Sequence, residues 1–97
     1  MIDLRAHDVR SFLPAQDFAL SKAFYAALGC TLEWSDEDLA LFHLGGARFY
    51  LQRYYVKEWA DNCMLHISVQ DAAQCFADVS QLIGTGRFPG TRVSAPK

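Results

Sequence analysis

The sequence is poor in the residues that mark the extreme classes of protein. Proline occurs 3 times and glycine 6 times in 97 residues, too rarely for a collagen-like or low-complexity chain. Neither sign of charge is in large surplus. Nine Lys+Arg stand against 11 Asp+Glu, for a formal net charge of -2, which removes the electrostatic footprint of a nucleic-acid binder. No uncharged apolar run approaches the roughly 18 residues of a membrane span. The start, MIDLRAHDVR, is charged and lacks the apolar stretch of an export signal. Three cysteines (Cys30, Cys63 and Cys75) form no CxxC and cannot all pair, so reduced thiols in a cytoplasm are the expectation. Nucleic acid and membrane are both set aside as partners.

What is present is ordinary for a globular chain: 52% hydrophobic, 13% aromatic and 21% charged residues. The length allows one domain, residues 1–97. Turn signals fall at Gly29-Cys30, at Gly45-Gly46 and across Gly84 to Gly90. Between them, Val9 to Leu13 reads as a strand ended by Pro14. Asp17 then caps a helix whose apolar positions Leu20, Phe24, Ala27 and Leu28 share one face, with Gly29 as its stop. Thr31 to Trp34, Leu39 to Leu44 and Arg48 to Arg53 read as three strands. The pattern is β-α-β-β-β over residues 8–53. After a polar, aromatic linker over 54–62 it restarts over 63–97. Met64 to Val69 predicts a strand, Asp71 a cap, and Ala72 to Ile83 an amphipathic helix stopped by Gly84. Thr91 to Ser94 predicts the beginning of one more strand. "Strand, Asp, helix, Gly" thus occurs twice, and the repeat is an architectural signal. The second copy is incomplete. The fold class expected is α+β.

Strand alternation sorts the side chains. Leu65, Ile67 and Val69 form one apolar face for the helices to cover, with Val9, Phe49 and Leu51 on the same side. The opposite face collects Arg10, Phe12, Tyr50, Gln52, Met64, His66 and Ser68. Rings mixed with hydrogen-bonding groups are the composition of a small-molecule pocket, although an antiparallel sheet also commonly leaves one face wet. Trp34, Tyr54, Tyr55 and Trp59 add a dense aromatic group, which serves either edge packing and a subunit interface or stacking on a planar ligand. His66 is either a pocket hydrogen-bonding group or a satisfied polar core residue. A guanidinium at Arg10 calls for a wet site and a ligand rich in acceptors.

Signals for chemistry are weak. His7, His43 and His66 have no HxxxH or HExxH spacing, and His43 reads as a strand residue at a rim. Cys75 lies on an apolar helical stripe, no serine has a GxSxG context, and Gly84-x-Gly86 follows a helix rather than opening one. Asp36-Glu37-Asp38 reads as a solvated turn. No catalytic residue, metal ligand or cofactor site is expected.

Val9 to Asp17, followed by Phe24-Tyr25 and Leu28-Gly29, resembles the opening of the vicinal oxygen chelate superfamily, which includes glyoxalase I, extradiol dioxygenases, fosfomycin-modifying enzymes and bleomycin resistance proteins. Phe49 to Trp59 and Met64 to Asp71 resemble the bleomycin-resistance branch. The likeness spans nearly the whole chain. It implies paired β-α-β-β-β modules, a curved mixed sheet enclosing a cavity, and commonly a homodimer. It also implies ligand positions for a metal, and this sequence departs from them. The first-strand His is Arg10, the fourth-strand Glu falls among Tyr50 to Gln52, and the His opening the second module is Met64, with His66 two positions on. The resemblance therefore implies binding without turnover, as in bleomycin resistance proteins, rather than metal-dependent glyoxalase or dioxygenase chemistry. A non-catalytic interaction module is the remaining alternative. Relatives continue past the position of Lys97 into a turn and two further strands, so either the sequence is truncated or another chain covers the gap, and a homodimer, strand-exchanged or not, is the simplest expectation. The expected ligand residues are Arg10, Phe12, Trp34, Tyr50, Gln52, Tyr54, Trp59 and His66.

Overall fold

Four strands and two main helices account for the regular structure of this computed structural model, which describes residues 1–95. The strands are β1 (Ser11–Pro14), β2 (Thr31–Ser35), β3 (Leu39–Leu44) and β4 (Ala47–Gln52). The helices are α1 (Phe18–Ala27), the four-residue α2 (Lys57–Ala60) and α3 (Ala72–Gly84). The sheet order is β1-β4-β3-β2, with β1 parallel to β4 and the other pairs antiparallel. The result is an open mixed sheet, α+β in class, with the β-α-β-β-β order expected of the first module.

Local chemistry explains each boundary. The Asp17 carboxylate accepts from the Leu20 amide at 3.1 Å, satisfying a donor that the first turn leaves free. At the other end of α1 the Cys30 amide returns to the Tyr25 carbonyl and the Gly29 amide to Ala26. This closure needs a left-handed residue, and Gly29 supplies it with φ +107°. The β3–β4 hairpin turns on Gly45-Gly46, with Gly45 at φ +58°. Asp71 repeats the cap of Asp17 at the start of α3, accepting from Gln74 at 3.0 Å.

The inner face of the sheet carries the core. Phe42 pairs with Phe49, and Leu51 stands between Ala40 and Leu13. These residues, with Ala15, Phe18 and Cys30, are buried, and Phe42 and Leu51 are wholly so. Tyr25 of α1 stands edge-on to Phe49 at 5.3 Å between ring centroids. Phe88 is also buried, edge-on to Phe24 at 5.2 Å, and ties the stretch after α3 back to α1.

Several expectations need correction. β1 begins at Ser11 and includes Pro14, because its last position lies at a sheet edge where a missing amide costs little. β4 ends at Gln52 rather than Arg53, and the linker contains α2. Gly84 is the last residue of α3, with Thr85 its cap, so the left-handed position falls to Gly86. Among the described residues, Met64 to Val69 joins no ladder, and neither does Thr91 to Ser94. Alternation identifies a face, but a strand also requires a partner for its amides and carbonyls, and neither edge of this sheet takes the segment up. Leu65, Ile67 and Val69 are therefore half-exposed, and α3 has no buried residue. The apolar stripe of α3 and these three residues face each other across a cavity of about 680 Å³.

Candidate functional site

The outer face of the sheet is built around Tyr50. In the ladder Tyr50 lies between Phe12 on β1 and Leu41 on β3, so all three project opposite to the core. Phe12 stacks on Tyr50 with ring centroids 4.8 Å apart and planes 21° apart, the offset geometry that aromatic pairs prefer. Trp34 meets the same ring edge-on at 6.5 Å. It reaches this face through an irregularity in β2 between Leu32 and Trp34. Leu32 pairs with Phe42 and Trp34 with Leu41, so the intervening Glu33 acts as the extra residue of a bulge. Leu41 is buried beneath the rings, while Phe12 remains 54% and Trp34 44% exposed. Three rings thus form an accessible floor.

Arg10 closes one side of it. Its Nη1 donates to the Tyr50 hydroxyl at 3.0 Å, its Nε donates to Asp8 at 3.2 Å, and its guanidinium carbon lies 5.7 Å from the Tyr50 ring centre. The bonds to Tyr50 and then Asp8 push the guanidinium pKa above its ordinary value, so it is a permanent cation. One residue pair further along the sheet, Arg48 makes a two-point ion pair with Glu33, at 2.9 Å and 3.2 Å. Those bonds from Arg48, against a smaller opposing desolvation, hold the Glu33 carboxyl below the usual carboxylate range. His43 completes this corner. Its Nδ1 lies 3.4 Å from Glu33 Oε1, close enough for attraction but without hydrogen-bond alignment.

Of the residues expected at the site, Arg10, Phe12, Trp34 and Tyr50 come together, and Gln52 lies on the same face by register, opposite Leu39. Three do not join them. Tyr54 and Trp59 pair with each other beyond the end of β4, with centroids 6.0 Å apart. His66 lines a cavity of about 620 Å³ near the β3–β4 turn, with Val9, Ser11, Arg48, Phe49 and Leu65, away from the three rings. Its expected face was assigned from a strand that does not form. Arg48, Glu33 and His43 were not expected at the site. Arg48 was legible, since it precedes Tyr50 by two and shares its face. Glu33 was legible too, since alternation sets it opposite to Leu32, whereas Trp34 reaches this face only through the bulge.

A metal centre does not fit this face. Among the described residues no group of three or more His, Cys, Asp or Glu side chains converges as ion ligands. Arg10, where the sequence resemblance implies a ligand, is engaged by Tyr50 and Asp8, while Met64, at another such position, is 89% exposed. Guanidinium and thioether groups do not hold a hard divalent cation.

No protein-family model matches this chain, and the search of curated proteins gives no match either. Solved structures do match. A bleomycin resistance determinant encoded on the transposon Tn5 superposes with a TM-score of 0.67 at 16% identity, over 95% of this chain and 72% of that one. This chain has the bleomycin-resistance-protein fold. A bleomycin-binding protein solved with bleomycin gives a TM-score of 0.59 at 14% identity, again over 95% and 72%. A hypothetical protein from S. aureus gives 0.57 at 16% identity, over 95% and 77%. The bleomycin-resistance fold is the one that the resemblance to the vicinal oxygen chelate superfamily implies. Among the described residues, no helix is long and apolar enough to cross a membrane.

Proposed function

We propose that this protein binds and sequesters a planar or aromatic small molecule, without a metal or other cofactor, in the manner of the bleomycin resistance proteins whose fold it shares. The observation that carries the reading is the aromatic floor of Phe12, Tyr50 and Trp34, with the Arg10 guanidinium fixed to the Tyr50 hydroxyl at 3.0 Å. Stacking supplies area for a flat ligand, and Arg10 and Gln52 supply the polar contacts that orient it. Bleomycin is the first ligand to try, because a neighbour in fold was solved bound to it. The three unpaired cysteines favour a cytoplasmic setting.

We also propose a homodimer. The unpaired backbone of Met64 to Val69 and the half-exposed Leu65, Ile67 and Val69 are surfaces that a second copy would cover. Light scattering at micromolar concentration should show twice the chain mass, and a cooperative monomer would remove this part of the reading.

For the binding function, purified protein is titrated with bleomycin and with simple bicyclic aromatics while tryptophan emission is followed. Saturable quenching in the wild type that is weakened in Tyr50→Ala supports the reading; equal affinity in both proteins sinks it. Metal analysis of the same sample should find less than one equivalent of zinc, nickel, iron or manganese. A tight equivalent lost in His66→Ala would favour the metal-dependent alternative.

A further inference from the structure

Two guanidinium groups lie beside the aromatic floor, and the role assigned to them rests on that floor being a binding face. The parallel register sets Ser11 against Phe49 and Phe12 against Tyr50; carried one step back, past the start of β1, it sets Arg10 next to Arg48 on β4. The hydrogen bonds and charge of Glu33 favour the protonated state of Arg48, and the nearby Arg10 charge opposes it weakly. Two like charges are tolerated side by side because each has its own carboxylate, Asp8 for Arg10 and Glu33 for Arg48.

These contacts leave a specific kind of unused capacity. A guanidinium has five N–H donors. Arg10 commits one to Asp8 and one to Tyr50; Arg48 commits two to Glu33. Three donors therefore remain on each, among the described contacts. Both oxygens of Glu33 are engaged by Arg48, so the polarity left at this end of the face is mainly donor. The Arg10 and Arg48 side chains are 31% and 43% exposed, partly sheltered yet reachable. Arg48 lies two residues from Tyr50, about 7 Å along the strand, within reach of a substituent on a ring stacked over Tyr50.

We propose that Arg10 and Arg48 form a paired-guanidinium clamp, and that the ligand of this face is a planar aromatic molecule bearing a carboxylate. Asp8 and Glu33 hold the clamp in place before the ligand arrives. The ligand carboxylate then accepts from the donors they leave, where charge-assisted and two-point bonds are strongest.

The test is calorimetry with three matched probes: 2-naphthoate, 2-naphthamide and 2-naphthyltrimethylammonium. The wild type should bind the naphthoate about tenfold or more tightly than the amide, as charge-assisted bonds imply, and the cation most weakly. Arg48→Gln should remove the preference for the carboxylate. Arg48→Lys, which keeps the charge and guards against misfolding, should retain part of it. Lys57→Gln on α2, which removes an equal charge elsewhere, should leave the preference intact. Equal binding of all three probes, weakened alike by Tyr50→Ala, would overturn the clamp and leave the aromatic face standing. Tighter binding of the cation would also overturn it. No binding of any probe would overturn the clamp and the aromatic face together.

Discussion

Trp34 stands edge-on to Tyr50 at 6.5 Å because β2 spends one extra residue, Glu33, between Leu32 and Trp34. Leu32 pairs with the core residue Phe42, and strict alternation would send Trp34 to the same side. The bulge reverses that assignment and places the indole on the outer face, beside the Glu33–Arg48 ion pair.

Tyr50 contributes both a ring and a hydroxyl, and two substitutions separate them. Tyr50→Ala should weaken 2-naphthoate binding by roughly 1–3 kcal/mol, because the floor loses its central ring. Tyr50→Phe keeps the stack and loses only the acceptor for Arg10, so its cost should be nearer ~1 kcal/mol. Calorimetry on the three proteins checks the order, and a Tyr50→Phe effect as large as that of Tyr50→Ala would contradict it.

The core and the 64–69 segment should respond differently to truncation. Phe42 is wholly buried and stacked on Phe49 at 5.6 Å. Phe42→Ala should cost about 3–5 kcal/mol in urea unfolding. Leu65 is 44% exposed, so Leu65→Ala should cost about 1 kcal/mol or less. Similar losses at the two positions would mean that the segment packs far more tightly than its exposure shows.

Acid should weaken the Glu33–Arg48 pair. The folded state holds the Glu33 carboxyl below its ordinary value, chiefly through the hydrogen bonds from Arg48. A depressed carboxyl pKa adds stability that is fully present above the unfolded value and is lost as pH falls through the folded one. Wild type should therefore melt above Glu33→Gln near pH 7, and the gap should narrow below about pH 4. Added salt should narrow it at neutral pH as well. A gap that widens in acid would show that the pair does not stabilise the fold.

Cysteine reactivity should rank by environment. Cys30 is buried, and that burial pushes its thiol pKa up; Cys63 is exposed and Cys75 intermediate. Iodoacetamide under native conditions should label Cys63 first and Cys30 last, as followed by peptide mass spectrometry. Early labelling of Cys30 would show that the α1–β2 junction opens readily.

The sequence by itself determined the first module. Asp17 and Gly29 bound α1 because a cap oxygen and a left-handed glycine satisfy backbone groups locally. Gly45-Gly46 set the hairpin, and alternation placed Arg10, Phe12, Tyr50 and Gln52 opposite Leu13, Phe49 and Leu51. These are short-range consequences of backbone geometry and period. Tertiary structure alone decided the rest. Trp34 reached the outer face through a bulge that no periodicity announces. Phe88 found its place against Phe24 across more than sixty positions of chain, a distance at which only packing selects a partner. His66 went elsewhere, because alternation names the face of a strand only after some neighbour has paired with its backbone.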